Sequence, residues 1–338
     1  MMRSRISCFL FTVVGVVMLL QPTAFAQSED ELPQQDPPQR LDAREAGEAW
    51  FSRMQEALRT LNFSAKFVAI DPFGMQMYRW LHSVNAENGE VEVLEQLDGP
   101  PQPIIRVNNR LSYFQSVGDS YSTEGSHIIG PWPEGIHTPV SRLSSSYDIV
   151  LAGGVRVLDT QAIHVRLLPK DAERYNYSFY IDRNTGMLLG AKTFAPQGEL
   201  LSQVLLSHFE YQQHPIEDLE RSVSEVQMPR MLSTGRESDS TQSWVVEGKP
   251  IGFQLVRQQM VELSPFTSLA DHMLFSDGMT QFSVYVNSGE ERPAPVRVQS
   301  LYSVVSVDKG PFTVTVVGKI PIPLAERVAR SVERVNGQ

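Results

Sequence analysis

The chain has 338 residues, with 29 Lys and Arg against 39 Asp and Glu, a formal charge of −10 at pH 7 and one cysteine. An acidic balance of this size argues against nucleic acid or an anionic bilayer as an electrostatic partner, and one cysteine excludes an intramolecular disulfide. The length is more than one core usually holds, so two domains are expected.

Residues 1–26 carry Arg3 and Arg5, an apolar run from Ile6 to Leu20, and the small-x-small pattern Ala24-Phe25-Ala26. This is the pattern of an export signal cleaved after Ala26, with an uncleaved anchor as the alternative. Cleavage removes Cys8, so the exported protein must be stabilised by burial alone. It also removes two cations and deepens the negative charge. Residues 27–40, QSEDELPQQDPPQR, have almost nothing apolar and read as a disordered leader.

From Leu41 the pattern becomes helical, with Trp50, Met54, Ala57, Leu58 and Leu61 on one face. Strand-like runs then follow one another: NFSAKFVAI, MQMYRWLHSV, EVEVLEQL, PIIRVNN, RLSYFQS, VRVLDTQAIHVRLLP, RYNYSFYID, MLLGAKTFA and SQVLLSHFEY. Turn chemistry punctuates them at Asp71-Pro72-Phe73-Gly74, Asn88-Gly89, Asp98-Gly99-Pro100-Pro101 and Asn184-Thr185-Gly186. Short intervals without intervening helices predict an antiparallel meander rather than a parallel α/β sheet. Between Ile128 and Tyr147, Gly130-Pro131-Trp132-Pro133 and a serine-rich stretch predict a loop or short helices across the open side of the sheet.

Several strands are apolar on both faces. Tyr175, Tyr177, Phe179 and Ile181 share one face and Tyr180 the other, while Tyr78 and Trp80 oppose Met75, Met77 and Leu81. A curved sheet with a helix on its concave side would leave a hydrophobic cavity; a filled aromatic core is the other reading.

Residues 216–243 turn polar, lose strand spacing and are loop-like from Gly235 to Ser243, so they read as a linker between domains 41–215 and 244–338. In the second domain LFSDGMTQFSVYVN is a hairpin: Ser276-Asp277-Gly278 turns, and Phe282, Val284 and Val286 alternate with Gln281, Ser283 and Tyr285. VVEGKPIGFQLVRQQMVEL, QSLYSVVSV and PFTVTVVG supply further strands. A terminal helix follows Pro321-Ile322-Pro323, with Leu324, Val328 and Val335 facing inward.

No catalytic set emerges. The seven histidines form no HExxH, HxH or HxxxH pattern, and neither GxSxG nor a glycine-rich phosphate loop occurs. Gly118-Asp119-Ser120 with Asp271-His272 is the best hydrolase candidate, and it lacks the strand-to-helix context a nucleophile elbow needs. Glu90, Glu92 and Glu95 read as solvated strand residues. The expectation is a non-enzyme with no cofactor and no metal.

The hairpin LFSDGMTQFSVYVN, Trp244, Lys249-Pro250-Ile251-Gly252-Phe253 and VVGKIPIPLAERVARSV in the second half resemble the RseB/MucB family of periplasmic sigma-factor regulators. In the first half the resemblance rests on Gln96-Leu97-Asp98-Gly99-Pro100, Arg142-Leu143, Tyr147-Asp148 and YIDRNTGMLLGAKTF. Ser144-Ser145-Ser146 and Phe275 depart from the family pattern. The resemblance implies an α+β, mainly antiparallel fold: a LolA/LolB-like unclosed half-barrel with helices on its concave side, then a smaller mixed α/β domain. It implies periplasmic binding to a single-pass, RseA/MucA-like anti-sigma factor, shielding that partner from site-1 proteolysis until lipopolysaccharide or lipoprotein acyl chains intervene.

Phe63, Phe67, Tyr78, Trp80, Tyr113, Tyr177 and Phe179 are then the expected lipid-facing residues, with ordinary core as their other reading. Tyr285 and Tyr302 are the expected contacts to the protein partner. A homodimer is a further expectation if the second domain exposes apolar surface. The alternative function is a lipoprotein or lipid carrier of the LolA/LolB type, against which the second domain speaks.

Overall fold

The computed structural model describes residues 39–85, 89–232, 243–262, 269–289 and 295–335. The expected signal, almost all of the leader, Asn88 and nearly the whole of 235–243 lie outside the described residues.

The first half begins with α1 (Gln39–Thr60), followed by β1 (Asn62–Asp71), β2 (Gly74–Asn85), β3 (Gly89–Gln96), β4 (Ile104–Val107), β5 (Arg110–Tyr113) and β6 (Tyr121–Glu124). A 3-10 turn (Glu134–His137) and α2 (Val140–Leu143) lead to β7 (Tyr147–Val157), β8 (Thr160–Pro169), β9 (Asn176–Asp182), β10 (Leu188–Phe194) and β11 (Leu200–Gln212). All eleven strands make one sheet, in the order β6-β5-β4-β3-β2-β1-β11-β10-β9-β8-β7. Neighbours pair antiparallel, whereas the two end strands do not meet, so the sheet curls without closing.

The inner face is packed. Phe51, Met54 and Leu58 of α1 are buried, and Phe51 meets Phe179 edge-on at 5.2 Å. Gly47 lets α1 cross β7 closely, since a Cβ there would lie 2.7 Å from the Ile149 carbonyl oxygen. The rest of the concave space is filled by residues 128–143, in which Ile128, Trp132, Ile136 and Leu143 are buried. Trp132 stacks on Trp80 at 4.2 Å and packs on Phe67 at 5.5 Å. This plug settles the choice between open cavity and filled core for the centre of the half-barrel, which is filled.

The sequence segment read as a linker is in good part structure. α3 (Glu217–Ser224) lays Leu219 and Val223 on Val91 and Ile105 of the sheet's outer face. Beyond it the chain runs along β6, where the Ser122 amide donates to the Arg230 carbonyl at 2.8 Å and the Leu232 amide to that of Ser122 at 2.7 Å. The apolar residues of α3 are too few to show against its charged face, which is why the segment reads as polar connection.

The second half contains β12 (Trp244–Val246), β13 (Gln254–Glu262), β14 (Leu269–Ser276), β15 (Gln281–Asn287), β16 (Arg297–Gln299), β17 (Ser303–Asp308), β18 (Thr313–Gly318), α4 (Ile322–Ser331) and β19 (Val332–Arg334). Six of these form an antiparallel sheet, β13-β14-β15-β18-β17-β16, and β12 pairs with β19. α4 starts at Pro321 and buries Ile322, Leu324, Ala325, Val328 and Ala329 against the face that carries Phe282, Val284 and Val316. Val335 does not belong to this face: the helix ends at Ser331, and Val335 is 42 % exposed.

Candidate functional site

The turn between β14 and β15 is the point at which the two halves interlock. Asp277 Oδ1 accepts the amides of Met279 and Thr280, both at 2.9 Å, which folds the turn locally. Gly278 takes φ +93°, a conformation that side-chain-bearing residues avoid, and a Cβ there would lie 2.6 Å from Thr138 Cγ2. The turn thus presents Asp277 Oδ2 to the first domain, where the Tyr147 hydroxyl donates to it at 2.9 Å.

Arg174 completes the cluster. Its Nε lies 3.5 Å from Asp277 Oδ2, within ion-pair range but outside hydrogen-bond geometry, and both side chains are almost fully buried. The guanidinium also reaches Asp171 at 3.2 Å and the Ile251 carbonyl, and stacks over Phe253 at 4.9 Å. Burial pushes the Asp277 carboxyl up, opposed by the two amides, Arg174 and Tyr147. Burial likewise pushes the Tyr147 hydroxyl well up, with the charge of Asp277 adding to it. Such a pair holds only while both partners are present, because removing one leaves an uncompensated buried charge.

Around this polar centre the contact continues. Met279 and Leu301 are buried among the first domain's core residues, and Thr138 Oγ1 donates to the Gly278 carbonyl at 2.5 Å. At the rim both terminal guanidinium nitrogens of Arg327 hold the Glu173 carboxylate. Beside the contact lies an open cavity of about 390 Å³, walled by Tyr78, Leu94 and Ile104 of the first domain and by Leu301, Tyr302 and Lys319 of the second.

The seven expected lipid-facing residues divide between core and rim. Phe63, Phe67, Trp80, Tyr177 and Phe179 are buried against α1 or the plug, so a ligand meets them only if the plug moves. Tyr78 lines the cavity. Tyr113 is half-buried and stacks on Tyr121 at 5.0 Å. Of the two expected partner contacts, Tyr302 is 40 % exposed under the Lys319 ammonium. Tyr285 is half-buried, stacked on His272 at 4.6 Å on the sheet face away from α4.

The reading of Glu90 and Glu92 as solvated needs correction. Glu92 is 2 % exposed; it accepts from Trp80 Nε1 at 2.7 Å and from Arg106 Nε at 2.6 Å. Glu90 pairs with Arg106 and lies 2.9 Å from His82 Nε2. Burial would raise the Glu90 carboxyl, but hydrogen bonds from His82 and Arg106 outweigh it and hold it at about 2. With α3 covering the outer face of β3 and the half-barrel enclosing the inner one, a charge on either side of this strand must find a partner.

The hydrolase candidates do not converge into a triad. Ser120 Oγ accepts the Gln115 amide, Asp271 accepts from Trp244 Nε1, and His272 Nε2 bonds Ser283, on two different sheets. Among the described residues no group of three or more His, Cys, Asp or Glu is placed to hold a metal, and no helix is long and apolar enough to cross a membrane.

The family described as the MucB/RseB N-terminal domain matches residues 46–232, and the MucB/RseB C-terminal domain matches residues 238–333. The chain is 28 % identical over 328 residues to the sigma-E factor regulatory protein RseB of Haemophilus influenzae, covering 96 % of this chain and 97 % of that protein. It superposes on the Pseudomonas aeruginosa MucA/MucB complex structure with a TM-score of 0.70 at 27 % identity, over 86 % of this chain and 100 % of the other. Against a crystal structure of MucB described without MucA, the TM-score is 0.54 at 25 % identity, over 86 % of this chain and 98 % of the other. Both domains, and the order in which they follow one another, make the chain a member of the MucB/RseB family.

Proposed function

We propose that the chain is a periplasmic negative regulator of an envelope-stress sigma factor. It binds the periplasmic segment of a single-pass anti-sigma factor, shields that segment from the first protease of a cascade, and yields it when a lipid signal binds. The observation that carries this reading is the domain arrangement. Over the same share of this chain, the match is closer to MucB in complex with MucA than to MucB described without it. The Asp277 turn, buried in the first domain, is what holds that arrangement here.

A lipid shifts such an equilibrium only by the difference in its affinity for the two arrangements. The cavity shared by Tyr78, Tyr302 and Lys319 meets that requirement, since an occupant touches both domains at once. The deeper residues Phe63, Phe67, Trp80, Tyr177 and Phe179 take part only after the plug yields, and Tyr113 stands on β5 outside the cavity wall. Tyr285 and Tyr302 remain the proposed contacts to the protein partner.

The test is capture. The purified protein, incubated with the periplasmic segment of an anti-sigma factor, is expected to retain it on a column and protect it from the site-1 protease. A folded protein that neither retains nor protects the segment overturns the proposal.

A further inference from the structure

The plug contains a feature that the regulatory reading does not use. His127 and His137 stack face to face, with ring centroids 4.4 Å apart at 22°. His127 Nδ1 lies 3.2 Å from Ser126 Oγ, while His137 Nε2 is buried without a partner. A cavity of about 310 Å³ lies beside the pair, walled by Gln55 and Arg59 of α1, Glu90 and Glu92 of β3, and Arg106 of β4. On the other side a second cavity, of about 210 Å³, brings Glu134 and Arg142 of the plug against the same two rings. Both imidazoles are half-buried between these cavities, where Glu90 and Glu92 are already engaged by Arg106, His82 and Trp80, and Glu134 lies 3.9 Å from the Lys319 ammonium.

We propose that the stacked His127–His137 pair is an acid-sensitive latch that keeps residues 128–143 inside the half-barrel. With both rings neutral the pair packs as two flat surfaces. A proton on either ring meets the other ring at stacking distance, the Arg106 guanidinium and His82, with no free carboxylate to receive it. The pair charges by leaving the cavity, and the plug leaves with it. Burial lowers His127 below the usual imidazole value; burial, then His127 and Arg106, holds His137 at about 3.

The sign follows from linkage. Above pH 6.5 the rings are neutral whether the plug is seated or released, so the latch has its full strength. Below 6.5 the released form takes up protons that the seated form refuses, and each unit of pH favours release by up to about tenfold per histidine. One histidine carries that factor to about a hundred between pH 6.5 and 4.5. Asp277 works the other way: its raised carboxyl stabilises the folded state more as pH falls. Glu134, whose carboxyl burial also raises, acts in the same sense as Asp277, so the histidines release the plug only by outweighing both; Glu90 begins to contribute only below about 4.5.

Release is transmitted in two directions. Trp132 withdraws from Trp80, exposing the aromatic wall of the half-barrel. Thr138, which holds Gly278 on one side and accepts from Gln55 of α1 at 2.6 Å on the other, no longer ties the second domain to the helix. Neither consequence depends on the identity of the protein partner.

The test is native-state hydrogen exchange on the full chain at pH 7.0 and 5.0, corrected for intrinsic exchange rates. The Thr138 and Leu143 amides, bonded to Gly135 and Pro139, report the plug; amides of β9 report the sheet. Plug opening is expected to rise at least tenfold at pH 5.0 while β9 stays protected, and the rise is expected to vanish in a His127→Gln, His137→Gln double variant. An equal rise in the double variant, or plug and β9 loosening together, overturns the proposal. Should the double variant not fold, an NMR titration of wild-type imidazoles decides: titration of both rings near 6.5 overturns the latch, and neutrality of His137 down to pH 5.0 supports it.

Discussion

The Tyr147 hydroxyl donates to Asp277 Oδ2 across 2.9 Å, joining the first residue of β7 to a turn 130 positions later in the other domain. Neither group has water as an alternative, and Arg174 supplies the countercharge beside them. Tyr147→Phe removes one donor and leaves the carboxylate its two amides and Arg174, so a loss of about 1–2 kcal/mol is expected. Asp277→Ala strands part of a buried guanidinium and is expected to cost about 3–5 kcal/mol. The check is urea unfolding followed by small-angle scattering: Asp277→Ala should enlarge the radius of gyration before either domain unfolds. An unchanged radius with intact stability would remove this contact from the account.

Gly278 offers a sharper probe of the same contact, because it acts without touching a charge. Valine there must adopt φ near +93° and place its Cβ within 2.6 Å of Thr138 Cγ2. The turn has to change conformation or back away from the plug, so Gly278→Val is expected to weaken the domain contact by about 2–4 kcal/mol. Isolated β14–β15 pairing should survive, since the strands are held by residues on either side of the turn. Limited proteolysis that cuts between domains in the variant and not in the wild type is the expected result.

How far the sequence was legible follows from the range of the interactions involved. Asn184-Thr185-Gly186 marks its turn by composition, and the alternation from Phe282 to Val286 matches the buried positions of β15 residue by residue. The β7–β8 turn is silent in the same terms: Leu158 and Asp159 occupy φ +50° and +62° without glycine or asparagine, so two strands read as one run. Glu92 looked solvated because its partner, Arg106, lies on the next strand and what encloses its face, α1 and the segment around His127 and His137, is remote in sequence. The LFSDGMTQFSVYVN hairpin is legible as a strand unit, but the interdomain contact made by its turn is not. What Asp277 does depends on Tyr147 and Arg174, and no local pattern announces a contact between domains.

Glu90 should make the first domain acid-sensitive in a window of its own. Its folded carboxyl sits at about 2 against an ordinary value of 4.5, so the stability it contributes is fully present above 4.5 and is lost as pH falls toward 2. With solvent still reaching part of the side chain, that contribution is about 2 kcal/mol. In Glu90→Gln, first-domain stability at pH 7 should fall by about this amount, and the slope between pH 4.5 and 2 should flatten correspondingly. Denaturant midpoints for both proteins at pH 7, 4 and 3 measure it; parallel slopes would assign the acid response to other carboxylates.

Trp132→Ala separates the plug's structural role from the concealment of an apolar site. Trp132 is 2 % exposed, stacked on Trp80 and packed on Phe67, and its loss leaves a void bounded by aromatic rings. Truncating such a residue costs about 3–5 kcal/mol. A void of that composition stays dry and accepts an apolar guest, so the variant is expected to be less stable and yet to bind an acyl chain more tightly than the wild type. Partial recovery of its melting temperature on adding a fatty acid would follow, because a ligand that binds only the folded state stabilises it by mass action. If stability falls with no gain in acyl binding, the aromatic wall around Phe67 and Trp80 is core and nothing more, and lipid must act at the Tyr78–Tyr302 cavity alone.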